Sequence, residues 1–166
     1  MKIIILCGIP GSGKSHFTKD FDKETTTVVS ADFLFQNRAD MLGVSYNEAF
    51  NPADLPEAHA QCLRRFTEIV ARVDDAPLSG EDYEANQKKV VVVDNTNITA
   101  VEMAPYVALA QAYGCDVEIH LFKCAPEVAF ERNTHGVSKP VIKRMAAALE
   151  ERELPPWWSS EVVHFT

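Results

Sequence analysis

Lys2-Ile-Ile-Ile-Leu-Cys7, followed at once by Gly8-Ile-Pro-Gly-Ser-Gly-Lys-Ser15, is the stretch on which the fold turns. A short, unbroken apolar run rich in β-branched residues reads as a strand buried on both faces, as in parallel sheets. The turn after it matches G-x-x-x-x-G-K-[ST] and leads into a helical pattern over about 13–21. Its glycines let successive backbone N–H groups converge on a phosphate, because side chains there would block the approach. The start of the following helix adds partial positive charge at the same point. Lys14 has the reach for terminal phosphates, and the Ser15 hydroxyl suits Mg²⁺. Gly8, Gly11, Ser12, Gly13, Lys14 and Ser15 are thus the expected cradle for a nucleoside triphosphate and its metal ion.

Outward from this loop, strand signals recur at about 27–30, 90–94, 117–123 and 161–165, with helical patterns between them. Alternation of this kind predicts an α/β fold with a five-stranded parallel sheet flanked by helices. Asn51-Pro52 signals a helix start, and Leu55, Cys62, Phe66, Ile69, Val70 and Val73 then fall on one stripe. Thr99-Ala-Val-Glu102 is a capping box for a helix stopped at Gly114, Pro126 opens another, and 139–153 forms a fourth. Residues 33–89 are too long for a simple crossover and read as a helical insertion on the acceptor side, while 125–152 read as a lid. The tryptophans of Leu154-Pro-Pro-Trp-Trp158 are candidates to pack against the body before the last strand.

Composition narrows the class. The chain has 166 residues, 46% hydrophobic and 24% charged, which suits one soluble globular domain spanning 1–166. No run approaches the roughly 18 apolar residues of a membrane span, and no signal-peptide layout precedes the first strand, so a cytoplasmic location is expected. Cys7, Cys62, Cys115 and Cys124 lack metal-site spacing and read as small core residues in a reducing compartment. A net charge of −8 argues against a broad nucleic-acid-binding face, so any nucleic acid is expected to be held locally, near one end.

Several side chains have alternative readings. Asp32 ends the second strand region, where ligands meet parallel sheets, and suits a base for an acceptor hydroxyl; the alternative is a turn or helix-cap aspartate. Asp94 closes the run Val90–Val93 like a Walker-B carboxylate, placed to hold Mg²⁺. Asn95 and Asn97 after it either bond substrate or form an Asx turn. Arg132 is the best lid candidate for a transferring phosphoryl group, against a solvated helix face. Lys143 reads as surface, and the role of His135 is open. Arg38, Arg64 and Arg65 either hold an acceptor phosphate or solvate a helix, and Tyr46 and Phe50 either stack a base or belong to the core. His59 reads as a packed or capped histidine rather than a ligand.

Together, G-I-P-G-S-G-K-S, S-A-D, V-V-V-V-D-N-T-N and E-R-N-T-H-G-V-S resemble the polynucleotide 5′-hydroxyl kinase-like group of AAA-type P-loop kinases. Tyr46 to His59, Y-x-x-x-F-x-P-x-x-L-x-E-A-H, resembles the same branch, and the likeness runs from Met1 to about Glu151. The resemblance implies a P-loop kinase fold and transfer of the ATP γ-phosphate to the 5′-hydroxyl end of DNA or RNA, with Mg²⁺. It implies Asp32 as general base, Asp94 at the metal and Arg132 in the lid; Asp32, Arg38, Asn95 and Asn97 are the candidate acceptor contacts. Two positions depart from the phage-type pattern: Phe35 stands where an acceptor-binding arginine is usual, and His135 where a second lid arginine precedes Gly136. A small-molecule or nucleotide kinase on the same scaffold, and a non-catalytic nucleotide-binding module, are the alternatives; without N-K-x-D, a guanine-nucleotide switch is disfavoured.

Overall fold

The computed structural model describes residues 1–72, 89–158 and 161–166. The strands β1 (Lys2–Cys7), β2 (Thr26–Val29), β3 (Val90–Asp94), β4 (Asp116–Lys123) and β5 (Glu161–Phe165) form one five-stranded sheet in the order β2-β3-β1-β4-β5. Every pairing is parallel. Ile3 and Ile5 face one side with Phe66, Met103, Ile119 and Ile142, whereas Ile4 and Leu6 face the other with Val92 and Phe122. Consecutive strand residues point to opposite faces. Burial of both faces therefore demands the unbroken apolar run that the sequence shows.

The helices are α1 (Lys14–Phe17), α2 (Asp32–Leu42), α3 (Tyr46–Ala49), α4 (Leu55–Ala71), α5 (Ala100–Ala112), α6 (Pro126–Arg132) and α7 (Lys139–Glu151). The capping box before α5 is complete, with Thr99 Oγ1 accepting from Glu102 N at 3.4 Å and Glu102 Oε2 accepting from Thr99 N at 2.9 Å. An unanticipated second box, Ser45 with Glu48, starts α3. Helix α1 is shorter than expected and tightens into a 3₁₀ turn at Thr18–Asp20. There Thr18 Oγ1 donates to Ser15 O at 3.1 Å, a local bond that competes with regular helix geometry. The Asn51-Pro52 signal marks a 3₁₀ turn at Pro52–Asp54, and α4 proper begins at Leu55 with Pro56 in its first turn.

Helix α4 buries Ala58, Cys62, Phe66 and Val70, with Leu55 and Ile69 half-buried at its margins; Val73 of the expected stripe lies outside the described residues. Each large side chain buried this way contributes about 1.5–3 kcal/mol. Residues 33–72 of the expected insertion carry α2, α3 and α4 with short connections, and 73–88 lie outside the described residues. Trp158 packs against the core, while Trp157 is 70% exposed. Cys7, Cys62 and Cys115 are buried and Cys124 is half-buried.

Strand order positions the site. Because β3 lies between β1 and β2, the glycine loop after β1, Asp94 at the end of β3 and Asp32 just beyond β2 meet at one sheet edge. In open parallel sheets this carboxyl-terminal edge is where ligands bind.

Candidate active site

A cleft of about 1870 Å³ opens along that edge. Gly11, Gly13, Lys14 and Ser15 form its floor, with Asp32 and Asp94 beside them. One wall comes from α3 and α4, through Tyr46, Phe50, Leu55 and His59. Further lining comes from α6, α7, the turn between them and the end of β5, through Arg132, His135, Arg144, Phe165 and Thr166. Its volume exceeds the roughly 300–1,000 Å³ of a single-ligand pocket, so two substrates can share it.

Glycine is required in the loop for steric reasons. A Cβ on Gly11, whose φ is +81°, would lie 2.0 Å from Ala129 O in α6, and one on Gly8 would lie 2.6 Å from Ser12 Oγ. Helix α6 is thus packed directly onto the loop. Ser12 is 1% exposed, and its hydroxyl has no hydrogen-bond partner among the described residues. Lys14 is 7% exposed, and its ammonium donates to Gly8 O at 2.7 Å and Ile9 O at 3.0 Å. A third ammonium proton has no partner among the described residues, which together with the Ser12 hydroxyl fits a bound phosphate. Burial pulls the Lys14 pKa below the usual lysine range, and the Asp94 charge opposes that shift.

Ser15 Oγ donates to Asp94 Oδ2 at 3.1 Å. A hydroxyl paired with a carboxylate beside the phosphate loop is a hard-oxygen donor set that fits Mg²⁺. Burial raises the Asp94 pKa, while Lys14 and the Ser15 hydroxyl hold it down. Among the described residues no group of three or more His, Cys, Asp or Glu is arranged to hold a metal. Asp94→Asn is expected to weaken Mg²⁺-dependent triphosphate binding by at least about tenfold, read by calorimetric titration with and without the metal. Unchanged metal dependence would remove Asp94 from the cation site.

Asp32 is the first residue of α2 and is exposed to the cleft. Tyr46 donates its phenolic proton to Asp32 Oδ1 at 2.6 Å. Arg132 lines the cleft from the end of α6 and forms no ion pair among the described residues. Lys143, by contrast, pairs with Glu127 at 3.0 Å on the surface, as its sequence reading had it. The turn between α6 and α7 is held by Asn133, whose Nδ2 donates to Val137 O at 2.9 Å and whose Oδ1 accepts from His135 N at 3.1 Å.

Two expected acceptor contacts sit outside the cleft lining, and a third touches it with its amide engaged. Arg38 is absent from the cleft lining: its guanidinium donates to Asp54 Oδ2 at 2.7 Å and Ala49 O at 3.2 Å, tying α2 to the turn before α4. Arg38→Ala is expected to cost about 0.5–1 kcal/mol, seen in the melting temperature, and to leave the acceptor KM unchanged. A raised acceptor KM would return Arg38 to the site. Asn97, 2% exposed with φ +46°, donates from Nδ2 to Leu6 O at 2.7 Å. Asn95 touches the cleft, but its amide is engaged: Oδ1 accepts from Ala31 N at 2.8 Å, and Nδ2 faces Tyr106 Oη and Cys62 Sγ. Both asparagines pin strand ends together because buried polar groups need partners.

One further side chain has a different place from the one its sequence pattern favours. His59 is exposed on the cleft wall rather than packed. Phe35 is fully buried against Phe50, with ring centroids 4.8 Å apart. The end of β5 reaches the loop, where Thr166 Oγ1 donates to Ser12 O at 2.9 Å. His164, also on the cleft wall, stacks on Phe122 at 4.6 Å and lies 3.2 Å from His120 through ring nitrogens. No motif marks these residues; strand order alone brings them to the site.

An AAA domain model matches residues 3–151 of the chain. Human NEDD4-binding protein 2 is 32% identical over 152 residues, or 86% of this chain, and the chain spans 7% of that protein's length. Among solved structures, a gluconokinase from Sinorhizobium meliloti 1021 aligns with a TM-score of 0.53 at 15% identity, covering 99% of this chain and 82% of the other. A sugar kinase from Janibacter sp. HTCC2649 aligns with a TM-score of 0.56 at 19% identity, covering 99% and 85%. At these identities the likeness to solved structures shows the fold alone. No helix among the described residues is long and apolar enough to cross a membrane. The matched domain implies nucleoside triphosphate binding, usually with Mg²⁺. With its glycine loop, its all-parallel sheet and the match over 3–151, the chain belongs to the AAA domain family and has a P-loop kinase-like α/β fold.

Proposed function

We propose that this protein is a kinase that transfers the γ-phosphate of ATP to the 5′-hydroxyl end of DNA or RNA. The observation that carries the reading is the unequal distribution of charge along the cleft. On the loop and lid side stand Lys14, Lys19, Arg132 and Arg144, suited to a triphosphate. The α3–α4 side offers Tyr46, Asn47, Phe50, Pro52, Leu55 and His59, with no lysine or arginine among the described lining residues. A phosphorylated small acceptor, such as a nucleoside monophosphate, would need a cation there. A terminal sugar with a free hydroxyl needs a hydrogen-bond acceptor and an apolar or aromatic wall instead.

In this reading Asp32 takes the proton of the acceptor hydroxyl, and Lys14 and Arg132 stabilise charge on the transferring phosphoryl oxygens. Ser15 and Asp94 would hold Mg²⁺, which would supply charge neutralisation at the phosphates. Positioning and electrostatics are most of what phosphoryl transfer asks of a protein. The motif combination D-N-T-N with R-N-x-H-G-V supports a polynucleotide end as acceptor. The chain's net charge of −8 supports one held locally rather than along a broad face.

The same cation-free wall also favours a second reading, a kinase of small neutral alcohols such as sugars or nucleosides. Transfer of label from γ-labelled ATP to 5′-hydroxyl DNA and RNA oligonucleotides, nucleosides, sugars and nucleoside monophosphates separates the two, with Lys14→Ala as blank. Labelled oligonucleotide ends are the expected result. Label confined to small neutral alcohols would establish the second reading. Label on nucleoside monophosphates would overturn the argument from the wall.

A further inference from the structure

Tyr46 is the first residue of α3, and three aromatic contacts set its ring. It lies edge-on to Phe35 with centroids 6.1 Å apart and stacks on Phe50 at 6.0 Å, both toward the core. On its other side His135 of the lid packs edge-on at 4.7 Å. The next lid residue, Gly136, is equally close to α3: a Cβ there would lie 3.5 Å from Asn47 Oδ1. Held in this way, the phenol aims its proton at Asp32 Oδ1, 2.6 Å away. That distance is in the range of a charge-assisted O–H···O⁻ bond. Burial and the Asp32 charge push the Tyr46 pKa well above the ordinary tyrosine range, so the phenol stays a donor throughout the working pH range.

We infer that Tyr46 is a positioning residue that orients the Asp32 carboxylate and couples this orientation to seating of the lid through His135. The phenol occupies Oδ1 and leaves Oδ2 as the oxygen for the acceptor's proton. The direction of Oδ2 then depends on a ring that the lid itself covers. A carboxylate at the exposed start of a helix has rotamer freedom, and a bond from a packed tyrosine removes it. This inference rests on Asp32 being the base.

The purely structural alternative is that the Tyr46–Asp32 bond merely ties α3 to α2. That role would register in stability and would not couple to Asp32 in turnover. Tyr46→Phe keeps every ring contact and deletes only the hydroxyl. With a 5′-hydroxyl oligonucleotide as acceptor, it is expected to lower kcat by about 10- to 100-fold, the loss of one hydrogen bond to a charged group. The KM for ATP and the melting temperature are expected to hold. In a double-mutant cycle with Asp32→Asn, Tyr46→Phe should cause no further loss, because both act through one carboxylate.

An unchanged kcat in Tyr46→Phe, or losses that multiply in the double mutant, would overturn the positioning role. His135→Ala should lower kcat to a similar degree, and His135→Phe, which keeps a ring against Tyr46, should restore most of it. Equal loss in both His135 variants would overturn the lid coupling. Full turnover by Asp32→Asn would instead remove the base assignment itself, so the two failures are distinguishable.

Discussion

Asp32→Asn is expected to lower the turnover number by about 10²- to 10⁴-fold, the usual worth of a positioned general base. The substitution preserves volume, and the amide oxygen can still accept the Tyr46 hydroxyl, so the wall of the cleft should keep its shape. It removes the capacity to take a proton, together with one negative charge in the cleft. Asp32 lies outside the glycine loop and the Ser15–Asp94 pair, so ATP affinity should remain within about twofold of the parent. Single-turnover transfer from γ-labelled ATP measures the chemical step, and calorimetry measures binding separately. Parent-like transfer would mean that Asp32 is a helix-start aspartate with no part in the reaction. A joint loss of binding and turnover would place it instead in the nucleotide half of the cleft.

Gly11→Ala should be the most damaging small substitution in the chain. The added Cβ would lie 2.0 Å from Ala129 O, 2.9 Å from Ala129 C and 3.2 Å from Ala129 Cα, and φ at Gly11 is +81°. These are backbone atoms of α6, so relief requires moving the helix that carries Arg132, or the loop itself. A cost above about 4 kcal/mol is expected, lowering the melting temperature by more than about 8 °C. Gly114→Ala separates the two components. Its φ is +64°, but nothing lies within 4 Å of the added Cβ, so only the left-handed backbone penalty of about 1–2 kcal/mol applies. Thermal melts of both variants provide the comparison. Similar losses would mean that backbone conformation, and not contact with α6, demands glycine in the loop.

Much of the fold was legible because its signals are local. The apolar run of β1 and the valines of β3 record burial on both sheet faces, which no other short element requires. Thr99 with Glu102 announced α5, and Gly114 closed it in a left-handed turn that favours glycine. Where the reading missed, a nearby competitor intervened. The Thr18 hydroxyl bond accompanies the shortening of α1, and Pro56 delayed α4 until after a 3₁₀ turn. At the site, the glycine loop, the carboxylates Asp32 and Asp94 and the lid Arg132 all line one cleft, as their positions at strand and helix ends suggested.

Polar residues were harder to read, because type alone does not say which partner a side chain meets. Asn95 and Asn97 follow Asp94 directly, yet their amides are engaged by Ala31 and Leu6, remote in sequence. Arg38 had the chemistry for a phosphate but lies beside Asp54, sixteen positions on. Neither pairing leaves a periodicity to detect.

The sequence by itself therefore determined the α/β class, the parallel strands and the glycine loop, since burial on both faces and a phosphate cradle each impose a residue pattern within one short segment. Only the tertiary structure decided which side chains surround the chemistry. Tyr46 reaches Asp32 across a helix, His135 reaches Tyr46 from the lid, and Thr166 reaches Ser12 from the edge of the sheet. Each contact joins segments that are neighbours only after the strands take the order β2-β3-β1-β4-β5, an arrangement set by packing of the whole core rather than by any one stretch of chain.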